Sequence, residues 1–179
     1  EPAPRAKVSA QAIVEGAREL KNGQSTMLML RGAAVRGKAL ELAGRIAAKT
    51  GCRLMSESGN PRIERGAGRA PVPQLPFVVD TALAATKGAR QMVLVGAKQP
   101  VAFFAYPGKP SVLIPPDCEV IKVAAAEEDV EAALEALAAE LDAVHTKPLV
   151  NVATFNGALP TGKVTPDALG AFLNVMLPE

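Results

Sequence analysis

The sequence has no tryptophan, one tyrosine and one histidine among its 179 residues, and only five phenylalanines. An apolar set made mainly of alanine, valine and leucine is typical of thin helices packed on a sheet and argues against an aromatic-rich β-sandwich. The two cysteines, Cys52 and Cys118, form no CxxC motif, and with a single histidine they cannot assemble a zinc site. We interpret them as free thiols of a reducing compartment.

Long apolar runs and an excess of one charge are also missing. No apolar segment approaches the roughly 20 residues that cross a bilayer, and the first residues lack the pattern of a signal peptide. The 20 basic and 18 acidic residues leave a net charge of +2, so no overall field attracts nucleic acid. We therefore expect a cytoplasmic protein that binds neither a membrane nor a nucleic acid.

Apolar strands and amphipathic helices alternate along the chain. Helical patterns cover residues 9–22, with Ser9 as a possible cap, and residues 37–50, 76–87 and 127–141. Short apolar runs at 25–31, 52–56, 91–96, 111–115 and 119–124 predict strands, of which the first is typical of a strand buried on both faces. This order predicts an α/β fold with a mainly parallel sheet.

The composition changes after Asp142. Residues 143–162 have no sustained period and contain two prolines and two glycines, so they predict a linker behind an α/β domain at 1–142. Residues 163–179 then predict a helix capped by Thr165, with Leu169, Phe172 and Met176 on its apolar face. We interpret this helix as the start of a truncated further domain.

No motif for catalysis or metal binding is present. The sequence contains no GxSxG, no HExxH and no P-loop, and we assign no catalytic residue and no metal ligand. His145 lies in the predicted linker, where a solvated role is favoured over that of a base. Cys52 begins a predicted strand with no histidine near it in sequence, which favours a buried structural thiol over a nucleophile.

Two loops rich in glycine and arginine are the remaining candidates for a site. The first, "RGAAVRGK", follows the first strand and enters a helix, so Gly32, Arg36 and Gly37 stand where free backbone N–H groups attract an anion. The second, residues 57–74, carries Arg62, Arg65 and Arg69 after the second strand. Both loops leave the carboxyl ends of strands, where open parallel sheets bind ligands. The alternative is that they are solvated turns.

The order of segments resembles the central domain of thiamine-diphosphate-dependent enzymes, in particular acetolactate synthase large subunits and benzoylformate-decarboxylase-like proteins. The resemblance is carried by "ELKNGQSTMLMLRGAAVRG", "LMSESGNPRIERG", "GARQMVLVGAKQP" and "LPTGKVTPDALGAFLNVMLPE", the last being similar to the helix that opens the family's C-terminal domain. It implies a Rossmann-like three-layer domain with about six parallel strands and helices on both faces. Gln91 stands where the family usually has an aspartate.

The resemblance also implies cofactors and further site residues. Family members bind thiamine diphosphate through Mg²⁺ in flanking domains, which supply a glutamate and a Gly-Asp-Gly motif that these residues lack, and some hold ADP or FAD in the central domain. Gly32 matches the start of a glycine run in flavin-binding members, and "GAK" with Gly96 and Lys98 matches a Gly-x-Arg. Alanines after Gly32 and a lysine in place of the arginine favour an ADP-like group or an empty domain over flavin.

Three functional hypotheses follow. In the first, the chain is the middle of an enzyme that decarboxylates 2-keto acids or joins them to a second carbonyl. It is then inactive alone and works with the flanking domains of its chain in a homodimer or tetramer. In the second, it is a free-standing module that binds ADP or CoA through the glycine-arginine loops. The third hypothesis treats the domain as purely architectural.

Overall fold

The predicted alternation of strands and helices is present in the computed structural model, which describes residues 4–152 and 158–177. The strands are β1 (Thr26–Leu30), β2 (Arg53–Ser56), β3 (Gln91–Val95) and β4 (Glu119–Ala124). The helices are α1 (Ala10–Lys21), α2 (Gly37–Thr50), α3 (Val79–Thr86), α4 (Val130–Glu140) and α5 (Pro166–Met176), and a 3-10 helix (Gly32–Val35) precedes α2. None of the helices in this part of the chain is long and apolar enough to cross a membrane.

The four strands form one parallel sheet in the order β2-β1-β3-β4. The chain passes from β1 through α2 to β2 on one side, and it then returns through α3 to β3 on the other side of β1. The direction of progression therefore reverses between β1 and β3. In open α/β sheets this switch point is where ligands bind, outside the carboxyl ends of the strands.

Alternate residues of β1 divide the apolar interior into two cores. Leu28 and Leu30 face a core shared with α1, α2 and α4, whereas Met27 and Met29 face a second core that includes residues of α3. All four side chains are fully buried, and each contributes about 1.5–3 kcal/mol to folding. Helices therefore lie on both faces of the sheet, and the predicted Rossmann-like three-layer α/β fold is confirmed.

The sheet has four strands in the described residues, fewer than the six that the resemblance implied. A short parallel pairing extends it beyond β2, where Ser56 receives Leu75 N–H at 2.8 Å and donates its own N–H to Pro73 at 2.9 Å. Prolines at 71, 73 and 76 remove backbone donors from this segment. The pairing therefore stops after one bridge instead of growing into a strand.

The prediction of a strand at 111–115 is wrong. Val112 instead forms an isolated antiparallel bridge with Val101, outside the sheet. Pro110, Pro115 and Pro116 flank the segment and cannot donate to a strand ladder. Its apolar residues Leu113 and Ile114 are buried in the second core, so their hydrophobicity reflects packing against a sheet face and not membership of the sheet.

Helix boundaries differ from the sequence pattern at two starts. The helix predicted from 76 begins at Val79, because the residue before it, Val78, keeps an extended conformation with ψ of 128°. The helix predicted from 127 begins at Val130, where Asp129 accepts the N–H of Ala132 at 3.1 Å as a cap. Ser9 occupies the N-cap position of α1 but makes no side-chain cap hydrogen bond. Thr165 caps α5 as predicted, at 3.1 Å from Ala168 N.

Part of the predicted linker packs against the domain. Leu149 donates to the carbonyl of Gly44 at 3.2 Å, and Asn151 donates to Arg69 at 2.9 Å. A Cβ at Gly44 would lie only 3.0 Å from the Leu149 carbonyl, so the glycine allows this crossing of α2. By contrast, α5 has no buried residue. Residues 1–3, 153–157 and 178–179 of the predicted segments lie outside the described residues.

Candidate functional site

The loops after β1 and β3 meet at the switch point of the sheet, and we call the space that they border the crevice. Arg31 N–H donates to the Val95 carbonyl at 3.3 Å, which ties the start of one loop to the end of β3. Gly96 has a φ of 69°, and a Cβ there would lie 2.9 Å from the Arg31 carbonyl and 3.1 Å from Val130. Gly96 is therefore required by packing between the two loops, whether or not a ligand binds.

Glu57, which the sequence analysis did not single out, lies across the crevice. Its carboxylate accepts the backbone N–H of Lys98 and pairs with Arg31 Nε at 3.1 Å. Its own N–H donates to the Leu30 carbonyl at 3.2 Å. The sequence feature that could have identified Glu57 is its position: an acidic residue directly after a buried strand, at the start of a stretch that the sequence analysis assigned only as irregular. The Lys98 N–H that could meet a phosphate is thus bound to a side chain of the same chain.

The side chain of Asn60 is hydrogen bonded to the backbone of Gly32, the first glycine of the loop after β1. Its side-chain oxygen accepts the N–H of Gly32 at 3.0 Å, and its amide group donates to the Glu57 carbonyl at 3.0 Å. Gly32 itself has a φ of 64°, which favours glycine at this position. Four of the five predicted site residues, Gly32, Arg36, Gly96 and Lys98, therefore have their backbone N–H groups engaged within the chain.

Arg36 and Gly37 form the more open part of the predicted site. Both are exposed, and α2 begins at Gly37 without a side-chain cap, so its first turn presents donors to solvent. Lys38 is paired with Glu135 of α4, and this hydrogen bond raises the pKa of Lys38. Among the described residues Arg36 forms no ion pair. It is the cation of this loop best placed to meet an anion.

The second glycine-arginine loop contributes Arg69 beside the same helix start. A cavity of about 410 Å³ is lined by Gly37, Glu64, Arg69 and Pro148, among others. Arg69 pairs with Glu64 at 3.2 Å, and Glu64 N–H donates to the Val35 carbonyl at 3.1 Å. The structure thus brings the two predicted loops together at Gly37. Of the five predicted site residues, Gly37 lines this cavity, whereas Gly32, Arg36, Gly96 and Lys98 are not among its lining residues.

The other two arginines of the second loop and His145 do not line this cavity. Arg62 and Arg65 of the second loop are exposed and do not line it, and His145 is exposed on the linker segment, as expected.

No nucleophile or metal centre accompanies these loops. Cys52 is buried, and desolvation raises the pKa of its thiol to about 11, which keeps it neutral and inert. The prediction of a buried structural thiol is confirmed. Within residues 4–152 and 158–177, no three histidine, cysteine, aspartate or glutamate side chains come close enough together to hold a metal ion.

Comparison with known proteins gives one curated relative by sequence. A Mycobacterium tuberculosis protein named "Putative acetolactate synthase large subunit IlvX" is 38% identical over 161 residues. The match covers 89% of this chain and 30% of that protein, so the chain spans less than a third of the relative's length. No protein-family model matches the chain.

Two solved structures share the fold, each at 20% sequence identity. A "putative thiamin diphosphate-dependent enzyme" from Mycobacterium smegmatis superposes with a TM-score of 0.60, over 84% of this chain and 32% of its own. The thiamine diphosphate-dependent 4-hydroxybenzoylformate decarboxylase of Rhodococcus jostii RHA1 gives a TM-score of 0.61, over 90% and 33%. These findings confirm the resemblance predicted from the sequence: the chain is similar to a protein named as a putative acetolactate synthase large subunit, and it shares its fold with about a third of each of these two solved structures.

Proposed function

We propose that this chain is the central domain of a thiamine-diphosphate- and Mg²⁺-dependent enzyme that acts on 2-keto acids as a carboligase or decarboxylase. The observation that carries the proposal is the 38% identity with an acetolactate synthase large subunit-like protein over nearly the whole chain. Both structural neighbours are named as thiamine diphosphate-dependent, and each matches over about a third of its length. In the proposal the remaining two thirds supply the reacting groups.

The role of this domain in the proposed enzyme is that of a framework. Because Glu57 and Asn60 already bond the N–H groups of Lys98 and Gly32, the crevice offers few donors to a diphosphate. Among the described residues, no three histidine, cysteine, aspartate or glutamate side chains are grouped so as to hold a metal ion. In the proposal, the chemistry of the reaction belongs to the cofactor, which the flanking domains hold.

The first test is to sequence the coding DNA on both sides of this segment. We expect an upstream α/β domain and a downstream domain with a Gly-Asp-Gly motif followed by an asparagine. The longer chain should release CO₂ from pyruvate, used as one 2-keto acid, only with thiamine diphosphate and Mg²⁺, and the 179-residue chain should release none. Flanking reading frames without these domains would contradict the proposal.

A nucleotide site is the second candidate, and the uncapped start of α2 beside Arg36 is the observation that favours it. In this alternative, Arg36, Gly37 and the cavity with Arg69 hold a phosphate of ADP or CoA, while Gly32, Gly96 and Lys98 shape the loops. FAD would need the same donors and a glycine run that the chain lacks. We favour the framework role because the crevice is closed by the chain's own side chains.

Titration of ADP into the isolated chain distinguishes the framework role from the alternative, a nucleotide-binding module. The framework role predicts no saturable binding with a Kd below about 1 mM. The module predicts saturable binding that Arg36→Ala weakens about tenfold or more, as expected for loss of a charge-assisted contact. Arg62→Ala is the matched control, since it removes an equally exposed arginine from the second loop. Equal affinity in wild type and Arg36→Ala would exclude Arg36 from the site.

The proposal also includes a location and an assembly. Both cysteines are free, which suits a reducing compartment, and we place the full-length enzyme in the cytoplasm. We expect it to assemble as a homodimer or tetramer. Size determination of the longer chain would test the assembly directly.

A further inference from the structure

The carboxylate of Glu57 lies at the switch point of the sheet, between the loop after β1 and the loop after β3. One of its oxygens accepts the backbone N–H of Lys98, and the other lies 3.1 Å from Arg31 Nε. A main-chain N–H and a guanidinium, one from each side of the switch point, are a donor set that suits the oxygens of a phosphate or another oxyanion. The chain's own carboxylate therefore lies where the oxygens of such a ligand are expected.

The backbone that carries this carboxylate is held in place by hydrogen bonds. Glu57 N–H donates to the Leu30 carbonyl at 3.2 Å, and the Glu57 carbonyl accepts the side-chain amide of Asn60 at 3.0 Å. The side-chain oxygen of Asn60 accepts the N–H of Gly32 at 3.0 Å, so the same turn also engages a donor of the loop after β1. Residues 57–60 therefore enter the crevice as one hydrogen-bonded unit, and the position of the carboxylate is set by the fold.

Water reaches the ion pair between Glu57 and Arg31. The Glu57 side chain is 17% exposed and the Arg31 side chain 35%, and in the described part of the chain neither has a second ion pair. An anion in solution can therefore compete with the carboxylate for the guanidinium. Because the carboxylate is attached to the same chain, its effective concentration at the site is of the order of millimolar or higher, so millimolar phosphate loses this competition.

We propose that Glu57 is a specificity-determining residue that excludes phosphate groups from the crevice by occupying an anion-binding position itself. The position is formed by the Arg31 guanidinium and the Lys98 N–H, and removal of the carboxylate makes it available to a small oxyanion. The competing interpretation is that Glu57 only ties the loops together, in which case its removal lowers stability and creates no binding. The inference depends on the geometry of the crevice and not on the proposed enzymatic role, so the two can fail separately.

Titration of inorganic phosphate at constant ionic strength, followed by the amide NMR signals of Arg31 and Lys98, tests the proposal. In Glu57→Ala both signals should shift saturably with a Kd of about 1 mM, whereas in wild type they should show no saturable shift up to about 10 mM phosphate. Asp117→Ala is the matched control, because it removes the exposed carboxylate partner of Arg90 at the amino ends of β3 and β4. It should leave the crevice signals as they are in wild type. Saturation in wild type at the same Kd, or none in a folded Glu57→Ala, would overturn the proposal.

Glu57→Gln keeps the inference testable if Glu57→Ala does not fold. The substitution preserves the length of the side chain and removes the charge that pairs with Arg31, so this variant should also bind phosphate saturably. Far-UV circular dichroism verifies that each variant is folded. A folded Glu57→Gln chain that has lost stability and gained no phosphate binding would assign the carboxylate a structural role alone and refute exclusion.

Hydrogen exchange of the Lys98 amide distinguishes exclusion from a purely structural tie. Lys98 is exposed, so its N–H is protected in wild type through the hydrogen bond to Glu57. In Glu57→Ala exchange should be about tenfold faster or more, and saturating phosphate should restore most of the protection because an oxyanion then accepts the N–H. Exchange that stays fast with phosphate present, or that is already fast in wild type, would contradict the proposal.

Discussion

Glu57 and Asn60 show how single side chains change the interpretation of a loop. The glycines and cations of "RGAAVRGK" predict an anion site, yet the N–H of Gly32 already meets Asn60 at 3.0 Å and Arg31 pairs with Glu57 at 3.1 Å. Both acceptors come from the stretch after β2, about 25 residues further along the chain. Sequence spacing could not reveal that these groups reach the β1 loop, because only the parallel pairing of β1 and β2 brings the loops together.

Cys52 carries a pH-dependent prediction at the same scale. The unfolded thiol loses its proton near pH 9, whereas burial keeps the folded thiol neutral up to about pH 11. Below pH 9 both states hold the proton, so the thiol adds no pH dependence there. Between about pH 9 and 11 the folded state holds more protons than the unfolded state, and the free energy of unfolding should fall by about 2 kcal/mol as the pH rises.

Comparison of denaturant unfolding for wild type and Cys52→Ala isolates the effect of this thiol on the free energy of unfolding. The difference between the two proteins should be constant below pH 9 and shrink above it. Cys118→Ala is the control, because Cys118 is only partly buried. Parallel pH curves for wild type and Cys52→Ala would show that the thiol is not desolvated.

At the scale of elements, the contact between α1 and the start of β3 is built from polar groups. Glu19 is 7% exposed, and its carboxylate accepts from Asn22 at 2.7 Å and from the side-chain amide of Gln91. The Gln91 oxygen in turn accepts the Thr26 hydroxyl at 2.9 Å. Gln91 stands where the resemblance implies an aspartate, and the neighbouring carboxylate gives a physical reason for an amide here, since two carboxylates would repel.

We expect Gln91→Asp to lower the free energy of unfolding by about 1–3 kcal/mol at pH 7, because it removes an amide donor from a buried carboxylate. Acidification should recover part of the loss as one carboxyl takes up a proton. Urea unfolding at pH 7 and pH 5 measures both effects. Gln99→Asp, at an exposed glutamine, is the control and should change little. A Gln91→Asp protein as stable as wild type would mean that the amide contributes nothing.

At the scale of the whole molecule, the cores end before α5. None of the residues of α5 is buried, whereas the preceding segment is hydrogen bonded to Gly44 and Arg69. A chain truncated after Gly162 should therefore unfold within about 0.5 kcal/mol of the full chain. A chain truncated after Asp142 loses the buried Ala143 and these hydrogen bonds, and it should be less stable by about 1–3 kcal/mol. Equal stability of both truncated chains would contradict the packing of this segment.

The sequence alone determined the fold class and most of the elements. Short apolar runs such as "MLML" have no polar residue to place in water, so they predict a strand covered on both faces. Amphipathic periodicity with glycine stops identified α1 and α2 within a residue or two at each end. These features are local, because each depends only on residues that are near one another in the sequence.

Only the tertiary structure decided what the apolar and charged segments contact. The run at 111–115 has strand composition, but prolines and burial in the second core keep it out of the sheet. The glycine-arginine loops leave the carboxyl ends of β1 and β2 as predicted, yet whether their donors are free depends on Glu57 and Asn60. The ring of Phe77 likewise lies 5.6 Å from that of Phe103, a residue far along the chain. Such contacts arise from the order in which strands pair, and no local pattern encodes that order.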